Sequence, residues 1–178
     1  MSFKTIKIIG VFIIFLLCFP LHFLYDWLPN PIISIFTPVN ESIAEHMKLI
    51  YTSYMIYSIF EYLWLKKNNR DINNYLLQLF IVPLLGIIIY LIIYLPIYNV
   101  FGENMFISIA LLFIIIIIEQ IISYYFLSYK ETKFQNIIGI LGIILTYIAF
   151  GYFTYQPMEN YVFYDISENK YGINIYTD

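Results

Sequence analysis

Apolar residues run through this chain in five long blocks, and polar residues gather in the short stretches between them. The blocks cover roughly 6–24, 42–65, 75–98, 104–129 and 134–155. Each is close to the 20 or so residues that a helix needs to cross a bilayer. The first follows Lys4 and Lys7, as the apolar centre of a signal peptide would. No small-residue cleavage site follows at Phe19-Pro20-Leu21-His22-Phe23, so we read it as a retained helix. Between the first two blocks, Pro29, Pro31 and Pro38 remove amide donors and bar a continuous helix. The apolar Ile32-Ile33-Ser34-Ile35-Phe36 between them predicts a loop lying at the membrane interface. Pro83 and Pro96 fall inside the third block, which a membrane helix tolerates because its neighbours re-satisfy the freed carbonyls. Gly139, Gly142 and Gly151 in the fifth allow close helix approach.

The pattern changes after residue 156. Tyr161-Val162-Phe163-Tyr164 and Tyr171-Gly172-Ile173-Asn174-Ile175-Tyr176 flank the turn-rich Ser167-Glu168-Asn169-Lys170, which predicts a small hairpin. Such a hairpin is marginal alone and is expected to rest on the helix ends. The organisation expected is therefore an all-α polytopic bundle over 1–156 with about five transmembrane helices, followed by a tail over 157–178.

Composition agrees. The 178 residues are 61% hydrophobic and only 12% charged, against about 25% charged in soluble domains. A net charge of -3 offers no basic surface and argues against nucleic acid. The expected partners are the lipid bilayer and further copies of the chain. The single cysteine, Cys18, permits no internal disulfide and reads as a small buried hydrophobe. Lys4, Lys7, Lys66, Lys67, Arg70, Lys130 and Lys133 fall on one side of the five-helix map, and Lys48 and Lys170 on the other. Positive residues stay in the cytoplasm. The expected location is thus the plasma membrane, with the amino terminus cytoplasmic and the carboxyl terminus outside. Asp26, Glu41, Glu45, Glu103, Glu159, Asp165, Glu168 and Asp178 would then face outward.

Chemistry concentrates in Thr37-Pro38-Val39-Asn40-Glu41-Ser42-Ile43-Ala44-Glu45-His46-Met47-Lys48. Helical spacing puts Glu41, Glu45 and Lys48 on one face, with Ser42, His46 and Ser53 on a second stripe. His22 and Asp26 close the first helix at a similar depth. Glu41, Glu45, His46 and His22 offer mixed nitrogen and oxygen ligands for a divalent cation, with Asn40, Ser42 and Asp26 as further polar contacts. The same groups could supply an acid and a base. Ser42 and Glu45 also match a capping box, Thr37-Pro38 matches a second helix start, and Glu45 can pair with Lys48. Capping therefore competes with ligand binding at this cluster.

Glu119 and Gln120 interrupt the fourth block about 21 Å from Met105 along the helix. An ionisable group at that depth is a functional candidate by default. With Ser123 and Tyr124 one turn on, they form a stripe that could carry protons or ions, or glue helices through hydrogen bonds to tyrosines. Glu61, about one turn from Lys66, reads as a carboxylate reaching the cytoplasmic interface. There is no phosphate loop, nucleophile elbow or His-Glu-x-x-His motif.

Pro38-Val39-Asn40-Glu41-Ser42, then Glu45-His46 and Lys48, resembles the signature P-V-N-E-S-x-W-E-H-x-K of a family of small bacterial membrane proteins of unknown function. Ala44 stands where that signature has tryptophan. His22, Phe23, Tyr25 and Asp26 match its H-F-x-Y-[DE] helix end. Gln120, Ser123 and Tyr124 match G-Q-x-x-S-Y, with Glu119 in place of glycine. Phe163, Asp165, Tyr171 and Gly172 match the tail F-x-D-P-x-T-G-x-Y-G, from which Ile166 and Asn169 depart. The resemblance implies a multi-pass membrane protein and no particular activity, and it favours Gln120 over Glu119 as a shared group.

The expectation is a bundle with a polar site at its outer face, formed by Asn40, Glu41, Ser42, Glu45, His46, His22 and Asp26 and covered by the tail around Asp165. It would bind a divalent cation or small polar ligand. The rival readings are a membrane-embedded hydrolase acting on lipid, a transport or channel subunit using Gln120 and Glu119, and a scaffold subunit of a larger complex.

Overall fold

The computed structural model describes residues 2–70, 72–173 and 175–176. Asn174 and Asp178, which entered the reading above, lie outside them. Five long helices form the molecule: α1 (Phe3–Trp27), α3 (Ile43–Lys67), α4 (Tyr75–Phe101), α5 (Met105–Ser128) and α6 (Gln135–Tyr155), with a single-turn helix α2 (Ile33–Phe36) after the first. They are 21 to 27 residues long, which at 1.5 Å per residue is about 32–40 Å. Among the described residues, α1, α4, α5 and α6 are long and apolar enough to cross a membrane. Their exposed side chains, such as Ile8, Phe12, Leu16, Ile92, Ile121 and Leu145, are aliphatic or aromatic. An exterior of this kind is stable in lipid rather than in water.

α3 differs because its polar side chains point inward. Glu45, Lys48, Ser53, Ser58 and Glu61 are all buried, and this helix, the least apolar of the five, packs against α1 and α4, as α5 also does. The core forms where α3 meets these neighbours, around Ile14, Tyr54, Tyr57, Val82 and Ile116 at one level and Ile50, Tyr51, Tyr90 and Ile115 at another.

Local chemistry sets the helix ends. Ser2 Oγ accepts from the Thr5 N–H at 3.1 Å and Asn104 Oδ1 from the Ile107 N–H at 3.1 Å, each satisfying an amide that a helix start leaves free. α4 instead starts after Asn74 in the left-handed region (φ 57°). The Asn74 side chain donates to the Lys130 carbonyl and accepts from the Thr132 N–H, tying two loops at one end of the bundle. Gly139 lies so close to α4 that an added Cβ would sit 2.3 Å from the Leu76 carbonyl, and one at Gly142 would meet the Phe80 ring. Gly151 has more room, facing Ile35.

The proline-rich connection does more than lie at an interface. Asn30 Oδ1 accepts from the Ile32 and Ile33 amides and starts α2, which packs on α6 through a Ser34–Tyr155 hydrogen bond of 3.0 Å. The tail is a three-stranded antiparallel meander, β1 (Tyr164–Asp165), β2 (Lys170–Tyr171) and β3 (Ile175–Tyr176), rather than a two-stranded hairpin. The tail is fastened to the rest of the molecule by two backbone hydrogen bonds and one from a side-chain amide. The Ala44 N–H donates to the Val162 carbonyl (2.9 Å), Ile173 N–H to the Thr154 carbonyl (3.1 Å), and Asn40 Nδ2 to the Gly172 carbonyl (2.8 Å). Gly172, at φ 55°, approaches the Thr154 carbonyl closely enough that any side chain there would collide with it.

Candidate functional site

Three of the sequence-predicted ligands meet. His22, near the end of α1, and His46, in the first turns of α3, bring their Nε2 atoms to 3.0 Å. Glu41, in the loop before α3, places Oε2 at 3.5 Å from His22 Nε2 and 3.4 Å from His46 Nε2. Ligands about 2.0–2.2 Å from a tetrahedral zinc lie about 3.4 Å apart, so this triangle has the size of one face of such a site. It is also the one group of three His, Cys, Asp or Glu residues with metal-ligand spacing among the described residues.

Two of its members, His46 and Glu41, are oriented from outside the triangle. His46 Nδ1 lies 2.9 Å from the Ser42 carbonyl, an atom that can only accept. The Nδ1 proton is therefore fixed there, and in the neutral ring Nε2 is a bare lone pair aimed at the centre. His22 Nδ1 meets no hydrogen-bond partner among the described residues, so it can carry the ring proton whenever Nε2 is required as a ligand. Glu41 is held by its backbone, whose N–H donates to Asp165 Oδ2 at 2.9 Å. Asp165 Oδ1 in turn accepts from the Ser167 and Glu168 amides and from the Ser167 hydroxyl. Asp165 is thus not an outward-facing acid over the site but a buried anchor beneath the Glu41 loop. Burial alone would raise its carboxyl, but the hydrogen bonds from Ser167, Glu41 and Glu168 outweigh that and hold it below the ordinary value. When their Nε2 atoms carry protons, His22 and then His46 donate to Glu41 and hold its carboxyl well below the usual carboxylate range.

The remaining predicted residues have other partners. Glu45, one of the four expected metal ligands, is not brought to the triangle. Its carboxylate accepts from Lys48 (2.5 Å), Thr154 Oγ1 (2.9 Å) and the Val39 N–H (3.1 Å). Lys48 adds the Ser34 carbonyl (2.7 Å), so this buried ion pair locks α3 to α2 and α6. The expected capping box is half formed. Ser42 Oγ accepts from the Glu45 N–H (3.3 Å), while the Ser42 N–H turns to Asn40 Oδ1 (2.9 Å) because Glu45 is engaged elsewhere. No helix starts at Thr37-Pro38; Thr37 Oγ1 donates back to the Ile33 carbonyl at the end of α2. Asn40 and Ser42 therefore shape the loop that presents Glu41. Asp26 is exposed and stands outside the triangle.

Gln120 and Glu119 do not share one path. Gln120 is wedged against Gly10 of α1 and Tyr57 of α3, whereas Glu119 sits against Gly86 of α4. Neither side chain meets a hydrogen-bond partner among the described residues, so the expected link from Glu119 to a tyrosine is not formed. Beside them lies a polar network whose extent the sequence conceals. Lys7 donates to Ser123 Oγ (2.5 Å) and pairs with Glu61, and Gln78 Oε1 accepts from Ser123 (2.6 Å) and Tyr54 (2.5 Å). Glu61 is accordingly a buried partner of Lys7 and not a carboxylate at the interface, and Lys7 is an internal charge.

Below the triangle, α1, α3, α4 and α5 enclose a cavity of about 470 Å³. Tyr164 and Ile166 of the tail roof it, and Glu103 joins its lining from the α4–α5 connection. Sequence reading placed Glu103 at the same end without grouping it with the histidines; its position in the short break between the apolar blocks 75–98 and 104–129 was the available signal.

The model for the family of unknown function DUF6512 matches residues 1–173. The chain belongs to that family. No curated protein and no solved structure matches it. What DUF6512 membership adds is class alone; in this DUF6512 chain the argument for a site rests on the His22–Glu41–His46 triangle.

Proposed function

We propose that this protein binds one divalent cation through His22 Nε2, Glu41 Oε2 and His46 Nε2, at the outer end of a bundle of five membrane-crossing helices. The supporting observation is the triangle itself: three donor atoms 3.0–3.5 Å apart, drawn from two helices and a loop. Two imidazoles and one carboxylate are a donor set suited to zinc and other borderline divalent metals. Three protein ligands leave a coordination position for water or a ligand. The outward placement follows from charge. Lys4, Lys66, Lys67, Arg70, Lys130 and Lys133 gather at the opposite end, the end retained in the cytoplasm of a bacterial plasma membrane. The experiment is thermal unfolding of the detergent-purified protein with and without zinc or manganese. A rise in Tm that His46→Ala and Glu41→Ala abolish supports the reading, and equal shifts in all three proteins refute it.

A hydrolytic reading rests on the same atoms. Two histidines and one glutamate with an open position are the ligand set of several zinc hydrolases, and a cation held there would supply a water of lowered pKa. Glu103, lining the same cavity, is the carboxylate placed to take a proton. Comparing the lipids of a deletion strain with those of its complemented strain tests this, and identical profiles count against it.

A further inference from the structure

We infer that the cavity beneath the triangle receives the hydrocarbon chain of a membrane amphiphile whose oxygen-bearing head meets the cation site. This deepens the proposed function by naming a ligand class for the same site.

The distribution of polar atoms carries the inference. The walls are Phe15, Ile43, Met47, Ile50, Ile109 and Leu112, together with tyrosines of α4. The carboxylate and imidazole side chains of the lining are those of the triangle and Glu103, at the end of the bundle where α1 finishes and α3 and α5 begin. The volume of about 470 Å³ lies within the range of small-molecule sites, about 300–1,000 Å³. Along α4 it extends from Tyr98 to Tyr90, about 12 Å at 1.5 Å per residue. A slot with one polar end and a deep apolar end matches a molecule with one polar head and one chain.

Access from the bilayer is present as well. Phe19, Phe23 and Met105 line the cavity, and they are 44%, 47% and 76% exposed. They lie at the end of α1 and the start of α5. Deeper down, the same two helices are sealed by Phe12, Phe15 and Phe113 in ring contact. The seam is thus closed below and bordered by exposed side chains above, where an amphiphile already in the membrane would slide in sideways, chain first. A freely soluble polar ligand would leave the apolar depth unfilled.

The test uses photoactivatable lipids in the purified full chain, a fatty acid and a phosphatidylglycerol, each with a diazirine near the end of its chain. Peptide mapping of the adducts and zinc content are measured on the same preparation. The inference expects labelling at Met47, Ile109 or Leu112, lost in Ile109→Trp and in Leu112→Phe while bound zinc stays unchanged. Two cavity variants are used so that misfolding of one leaves the question answerable. Labelling by the fatty acid alone assigns a free acid, and labelling by the phospholipid assigns a glycerolipid. Adducts confined to the bilayer-facing Ile8, Leu16 and Ile121, with zinc bound, overturn the inference and leave the cation site standing. Cavity labelling without any zinc uptake supports the inference and overturns the cation reading instead.

Discussion

Asp165 in the carboxyl-terminal tail accepts the backbone N–H of Glu41 at 2.9 Å, across 124 residues of sequence. The tail thereby sets the position of the loop from which Glu41 reaches the two histidines. Asp165→Ala removes that acceptor together with the turn it organises, and a hydrogen bond of this kind contributes about 0.5–1.5 kcal/mol. We expect lower thermal stability and, by analogy with other groups that orient metal ligands, about 10–100-fold weaker zinc binding. Calorimetric titration of the variant checks this; Asp165→Asn, which keeps an acceptor, should lie between it and the parent.

Zinc binding should weaken as pH falls, because ligation requires both rings to be neutral and protons compete with the metal for their nitrogens. Glu41 sets no limit there, since its carboxyl is held well below its ordinary value of 4.5. A group depressed in the folded state stabilises the fold above its unfolded pKa and loses that contribution as pH falls through its folded value. Glu41 therefore supports the fold at neutral pH and ceases to do so only in strong acid. Zinc titrations from pH 5 to 8 should show affinity rising with pH, and a flat profile would exclude histidine ligation.

The Lys7–Glu61 pair lies in the interior at 5% and 2% exposure. Breaking a buried pair leaves one charge uncompensated, at about 3–5 kcal/mol. Lys7→Met or Glu61→Met alone should lower the Tm in detergent sharply, while the double substitution should recover most of the loss. Additive losses would show that the two charges do not stabilise one another.

Glu119 is fully buried, and neither of its carboxyl oxygens is satisfied by a neighbour among the described residues. Its polar end packs against Gly86 without a hydrogen bond, so Glu119→Met, which keeps the side chain's length, should be neutral or raise the Tm by removing an unsatisfied buried group. A large loss of stability would mean that the carboxyl has a partner.

The architecture was legible because lipid demands long uninterrupted apolar runs. The helix ends lie within three residues of the limits those runs suggest, as with 6–24 against Phe3–Trp27 and 134–155 against Gln135–Tyr155. The site was legible in part. Spacing along α3 grouped Glu41 with Glu45, but side-chain direction separates them, one toward the histidines and the other toward Lys48 and Thr154. No local signal distinguishes these fates, because Thr154 is 109 residues away from Glu45. Likewise Lys7 reads from sequence as one more cytoplasmic cation, and only the packing of α1 against α3 and α5 reveals Glu61 and Ser123 around it. The roles of Asp165 and Glu103 depend on tertiary placement in the same way.

The central claim is most directly tested by elemental analysis of the purified chain after zinc loading and dialysis. The account predicts about one ion per chain in the parent and in Asp26→Ala, whose carboxylate stands outside the triangle, and none in His22→Ala, Glu41→Ala or His46→Ala. Equal metal content in all five proteins, whether present or absent, would contradict it.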